Sequence, residues 1–128
     1  MGVLKLIVLD THVWIWWVSN PEYLSIPAKR EIDNAIKNSE ILISSISAWE
    51  VALLAAKDRL KLTLNVSDWI AKSERLPFVR FIPINNDIAI RSVSLPGPIH
   101  DDPADRIIIA TANIFDATLI TIVDQNQL

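Results

Sequence analysis

Apolar residues fall in short runs along this chain, and the runs alternate between two periods. Residues 3–9 (VLKLIVL) are apolar on both faces of an extended chain except at Lys5. Such a run predicts a strand covered on both sides, as in a parallel sheet. Asp10-Thr11 interrupts it, with Thr11 the expected cap of a helix holding residues 13–18 and Pro21 ending that region. Ser25 and Pro27 open a second helix, in which Ala28, Ile32, Ala35 and Ile36 form an apolar stripe. Residues 40–45 read as a second strand.

Ser47 is the expected start of the next helix, and Ser47-x-x-Glu50 has the form of a capping box. A helix follows over residues 65–75, then a strand over 78–84 interrupted by Pro83, then a helix over 86–93. Leu95-Pro96-Gly97-Pro98 is a loop. Pro103 suits the first position of a helix capped by Asp102 and running through RIIIATANIF. A last strand is expected at residues 118–123. This alternation of strands and helices implies an α/β layer fold with a mainly parallel sheet. With no linker or repeat, residues 1–128 are expected to form one domain.

Composition narrows the function. Hydrophobic residues make up 51% of the chain, enough to fill a core. The formal net charge is -3, so nucleic acid would not be held by a basic stripe; a nucleic-acid role must rest on a metal ion and a local group of cations. Cysteine is absent, which excludes disulfides and thiolate zinc sites and leads to the expectation of a reducing compartment, the cytoplasm. No apolar run approaches the roughly 18–20 residues of a membrane span. The start, MGVLKLIVLDTH, reads as a first strand rather than a signal peptide, because Asp10 closes the apolar run and no small-residue cleavage site follows.

The remaining chemistry is acidic. In open α/β sheets ligands bind beyond the carboxyl ends of the strands. Asp10 follows the first strand, Glu50 lies near the start of the helix after the second, Asp102 and Asp105 open the helix before the last strand, and Asp124 follows that strand. Each has an ordinary explanation as a cap or first-turn acid, worth about 0.3–1 kcal/mol against the helix dipole. Together they are harder to dismiss, since two carboxylates about 4 Å apart repel by roughly 4 kcal/mol at an effective dielectric of about 20. A convergent group must take up protons or hold a cation. Oxygen-only ligands suit Mg²⁺ or Mn²⁺, an ion able to activate water for phosphodiester hydrolysis.

The segments LDTHVWIWW, SISAWEVALLAAKDRLKL and HDDPADRIIIATA resemble, in order and spacing, the PIN-domain nucleases, specifically VapC-type toxins of bacterial toxin–antitoxin pairs. The resemblance implies a three-layer α/β/α sandwich around a central, mainly parallel sheet. It implies an endoribonuclease dependent on Mg²⁺ or Mn²⁺, with an RNA substrate, an antitoxin partner and a homodimer. Carried over by motif, Asp10, Glu50 and Asp105 are the catalytic, metal-holding acids, and Asp102 in D-P-x-D is their neighbour. The fourth acid of the family falls two residues after a threonine. Here Thr121-Ile122-Val123-Asp124 is one residue longer, so Asp124 needs a bulge or a strand that ends early. The chain stops at Leu128, before a further strand that the resemblance would supply. The alternative is therefore a PIN-fold binding module with little or no nuclease activity.

Several other residues are weighed against ordinary roles. Arg106 would contact phosphate or pair with a neighbouring acid. Thr11 would cap its helix or orient Asp10 or a water. His12 and His100 flank the acids but read as polar loop or helix-start residues. Trp14, Trp16 and Trp17 lie on a helix apolar nearly all round, which predicts core or a protein interface rather than a base-stacking platform. The basic residues, Lys57, Arg59, Lys61, Lys72, Arg75 and Arg80 among them, read as a solvated surface. A phosphoacceptor domain would need paired acids after the first strand and a lysine after the last; Thr11 follows Asp10, and no lysine follows Lys72.

Overall fold

The computed structural model describes residues 5–97 and 101–122. Four strands, β1 (Ile7–Leu9), β2 (Ile41–Ser44), β3 (Val79–Ile82) and β4 (Thr118–Ile120), form one sheet in the order β3-β2-β1-β4. Every pairing is parallel, with Ile7 opposite Ile41 and Leu9 opposite Ile120. The helices are α1 (Thr11–Ser19), α2 (Ile26–Asn38), α3 (Ser45–Ala56), α4 (Val66–Glu74), α5 (Asn86–Val93) and α6 (Pro103–Ile114), with a 3-10 turn at Pro21–Tyr23.

Strand alternation sorts the core into two layers. Ile7, Leu9, Ile41 and Ile43 face one side of the sheet and pack with Val13, Trp14, Ile32 and Trp69 of α1, α2 and α4. Val8, Leu42 and Ile82 face the other and pack with Ile88 and Ile108 of α5 and α6. Both faces of β1 and β2 are buried, which explains why neither strand shows an apolar–polar alternation. The result is the three-layer α/β/α sandwich. Helix α3 serves both layers, Val51 packing with the first cluster and Ile46 against the second.

Trp14 and Trp69 anchor the first layer. Both are fully buried, with ring centroids 4.8 Å apart and planes inclined at 51°. Burying an indole leaves an N–H to satisfy. The Trp14 indole donates to Ser73 Oγ and the Trp69 indole to Ser19 Oγ, each at 3.0 Å. The expected core role of the α1 aromatics holds for Trp14; Trp16 and Trp17 are half-buried at its margin.

Two expected caps are corrected. Helix α1 is capped by Asp10, not Thr11: Asp10 Oδ1 accepts from the Thr11 backbone N–H, and Thr11 is the first helical residue. Helix α3 begins at Ser45 behind Ser44, whose hydroxyl accepts from the Ile46 N–H at 3.2 Å. Ser47 is therefore inside the helix, and the Ser47–Glu50 capping box does not form. Three closely spaced serines, Ser44, Ser45 and Ser47, offered competing starts, and β2 runs on to Ser44 before the chain turns. Asp102 caps α6 as expected, accepting from the Ala104 N–H at 2.9 Å.

Candidate active site

The chain runs from β1 to β2 on one side, then returns from β3 past β1 to β4 on the other. The order thus reverses beside β1, and open α/β sheets bind ligands at such a reversal, beyond the strands' carboxyl ends. Asp10 is the first residue past β1. Its backbone N–H donates to the Ile120 carbonyl at 3.0 Å, which fixes it between β1 and β4 at that edge.

Three helices direct their N-termini to the same edge. Helix α1 starts directly after β1, and α3 directly after β2. Helix α6 ends shortly before β4, whose first residue, Thr118, pairs with Ile7 at the opposite edge. Its N-terminus, about 18 Å away for twelve residues at 1.5 Å each, therefore returns to the carboxyl edge. Partial positive charge at the three helix ends favours acids there. Asp10 and Asp102 cap two of the helices, Asp105 lies in the first turn of α6, and Glu50 lies in the second turn of α3.

Glu50 reports this convergence. Burial raises its carboxyl pKa above the ordinary carboxylate value; a hydrogen bond from Thr11 opposes the shift, and the charges of Asp105, Asp102 and Asp10 reinforce it. Acids from β1, α3 and α6 thus share one field. Asp10, Glu50 and Asp105 are half-buried, while Asp102 is exposed at the rim.

A buried hydroxyl pair holds Glu50 in place. Thr11 Oγ1 lies 2.5 Å from Glu50 Oε1 and 2.8 Å from Ser47 Oγ. A hydroxyl has one proton and a carboxylate none to give. Thr11 therefore donates to Glu50 and accepts from Ser47. Thr11 and Ser47 are both fully buried, so the pair is shielded from water. The role of Ser47 was missed in the sequence because its spacing from Glu50 fits a capping box equally well. Residues three apart on a helix also share a face, and that was the available signal.

A family model for the PIN domain matches residues 7–127. The chain belongs to the PIN-domain family. This PIN chain is 37% identical over 106 residues to Ribonuclease VapC22 of Mycobacterium tuberculosis (strain ATCC 25618 / H37Rv), a match covering 83% of this chain and 78% of the relative. It is similar to a toxin-antitoxin complex from Klebsiella pneumoniae, with a TM-score of 0.60 and 28% identity over 90% of this chain and 84% of that one. VapBC2 from Rickettsia felis, bound to a DNA fragment from their promoter, shares the fold at a TM-score of 0.63 and 18% identity, covering 91% and 87% of the two chains.

The PIN fold brings Asp10, Glu50, Asp102 and Asp105 to one edge; Thr11 joins them through Glu50. Arg106 is half-buried on α6 beside Asp105, and His12 is exposed on α1. Asp124 and His100 lie outside the described residues. Strand β4 ends at Ile120, so the alternation argument for Asp124 does not extend to it. Among the described residues, no three acidic or imidazole side chains stand close enough to form a ready-made coordination sphere. The donor set fits a hard cation that keeps part of its water shell and takes only one or two carboxylates directly, as Mg²⁺ does.

Proposed function

We propose that this protein is an endoribonuclease of the VapC type that hydrolyses RNA phosphodiester bonds with Mg²⁺ or Mn²⁺. The observation that carries the reading is the shared field of Asp10, Glu50, Asp102 and Asp105, drawn from distant parts of the chain to one edge. Four acids placed together weaken a fold unless they have a ligand to bind, and relatives named as a ribonuclease and as toxin–antitoxin complexes point to the same chemistry. A divalent ion held there would supply an activated water and offset charge on the reacting phosphate.

The chain's own residues divide the remaining work. Asp10, fixed by β4 and by its cap position, provides one oxygen ligand. Glu50 is aimed by Thr11. Asp105 completes the set from α6, with Asp124 as the proposed fourth acid. Asp102 at the rim and Arg106 would orient the RNA backbone, Arg106 by contact with phosphate. The proposal treats residues 1–128 as one PIN domain acting in the cytoplasm, with an antitoxin partner. It includes a homodimer, supported by the outer face of α5, where Ile90 is 68% and Val93 77% exposed.

The test is cleavage of single-stranded RNA by the purified chain with Mn²⁺, with EDTA, and with Asp10→Asn. Metal-dependent cleavage lost in the variant is expected. Equal behaviour of the variant and the wild type, folded alike by circular dichroism, would leave a PIN-fold binding module as the reading.

A further inference from the structure

Tryptophan is distributed unevenly over this molecule. Trp14 and Trp69 are buried, Trp16 and Trp17 are half-buried, and Trp49 is 55% exposed. Trp49 sits on α3 next to Glu50. Helical side chains lean toward their helix's N-terminus and cover the preceding turn. The indole therefore leans toward the start of α3, which is the edge where the acids gather. Further along the outer side of α3 only Ala52 and Ala56 are exposed, so the ring stands above a low surface. An indole exposed to this degree forgoes much of the burial that places tryptophan in cores, as Trp14 and Trp69 of this chain are placed.

Charge explains why such a group belongs at this rim. The chain has a net charge of -3, and four of its acids share the field where a phosphate must enter. Besides the metal ion and Arg106 of the proposed function, contact with an uncharged part of the nucleotide supplies affinity that this charge does not oppose, and every base offers a flat face to an aromatic ring. We propose that Trp49 stacks on a nucleobase of the RNA next to the scissile phosphate and so positions the strand over the acids. This rests on the ribonuclease reading and adds to it a positioning residue outside the metal-holding set.

The test compares Trp49→Phe, Trp49→Leu and Trp49→Ala. Binding to a labelled, mixed-sequence single-stranded RNA is measured by anisotropy in an Asp10→Asn background, across a salt series. Cleavage is measured in the otherwise wild-type chain. Stacking is worth about 1–3 kcal/mol per base, so the Leu and Ala variants should bind about 5- to 150-fold more weakly, with Phe within about threefold of wild type. The dependence on salt should keep its slope, since no phosphate contact is lost. In cleavage the loss should fall on KM rather than kcat. Wild-type affinity in the Leu variant overturns the proposal, as does a loss that tracks a lowered melting temperature. A Leu variant altered only in its oligomeric size assigns the ring to a protein contact and also overturns it. If the wild-type chain cleaves RNA and the Leu variant matches it, only the stacking role falls. If the wild-type chain neither binds nor cleaves RNA, the ribonuclease reading falls with it.

Discussion

Replacing Thr11 by valine keeps the shape of a buried side chain and deletes one hydroxyl. Two contacts disappear: the donation to Glu50 at 2.5 Å and the acceptance from Ser47 at 2.8 Å. A hydrogen bond to a charged group is worth about 1.5–3 kcal/mol, and a buried hydroxyl left without a partner costs about 1–3 kcal/mol. Glu50 is only half-buried, so water recovers part of the first loss. Ser47 is fully enclosed and recovers little. A net cost of about 2 kcal/mol follows, or a fall of about 7 °C in Tm for a chain of this size. The cost should depend on pH. Above the raised pKa of Glu50 the bond is charge-assisted; below it the carboxyl is protonated and the bond is an ordinary one. Thermal unfolding of both proteins in EDTA across a pH series measures this. A Tm equal to wild type throughout, or a deficit that does not change with pH, would refute the assigned direction of the hydrogen bonds.

Glu50→Gln should raise the metal-free stability at neutral pH while removing activity. The raised pKa means that the folded chain holds its proton to higher pH than the unfolded chain, so the stability Glu50 contributes is present in acid and is lost as pH rises through the folded value. Calorimetry in EDTA from pH 4 to 8 should show a flatter profile in the variant, and an unchanged profile would contradict the assignment. Trp14→Ala, at a fully buried position, should cost about 3–5 kcal/mol in urea unfolding. Ile90→Asp on the exposed face of α5 should leave Tm nearly unchanged and halve the mass seen by light scattering, if that face joins two copies.

Much of the fold was legible because strand and helix periods separate cleanly. The run ending at Leu9, apolar on both faces except at Lys5, implied a strand covered twice, and β1 has a helical layer on each face. Ser25 and Asp102 cap their helices where the sequence placed the helix starts. Ser47 was misread because several hydroxyls compete at one helix start and only the length of β2 decides among them. Thr11 was misread because Asp10, one residue earlier, reaches the same unpaired backbone groups. Proximity of Asp10, Glu50 and Asp105 depended on three helices starting at one edge. Spacing along the chain suggested that arrangement for α1 and α3, but α6 required the observed pairing of β4 with β1. Trp49 was not distinguished from the other tryptophans, since only the folded chain separates an exposed indole from a buried one.

The backbone bond from Asp10 to the Ile120 carbonyl joins positions separated by most of the chain. The first acid gains its final setting only when the last described strand slots in beside β1, and Asp105 arrives with the helix that leads into that strand. A growing polypeptide halted anywhere before this closure carries Asp10 and Glu50 without the neighbours that make them a pocket. Under the proposed activity, synthesis of the chain therefore yields a harmless precursor until β4 has been made, and RNA near the ribosome is exposed to a competent enzyme only after that strand has joined the sheet.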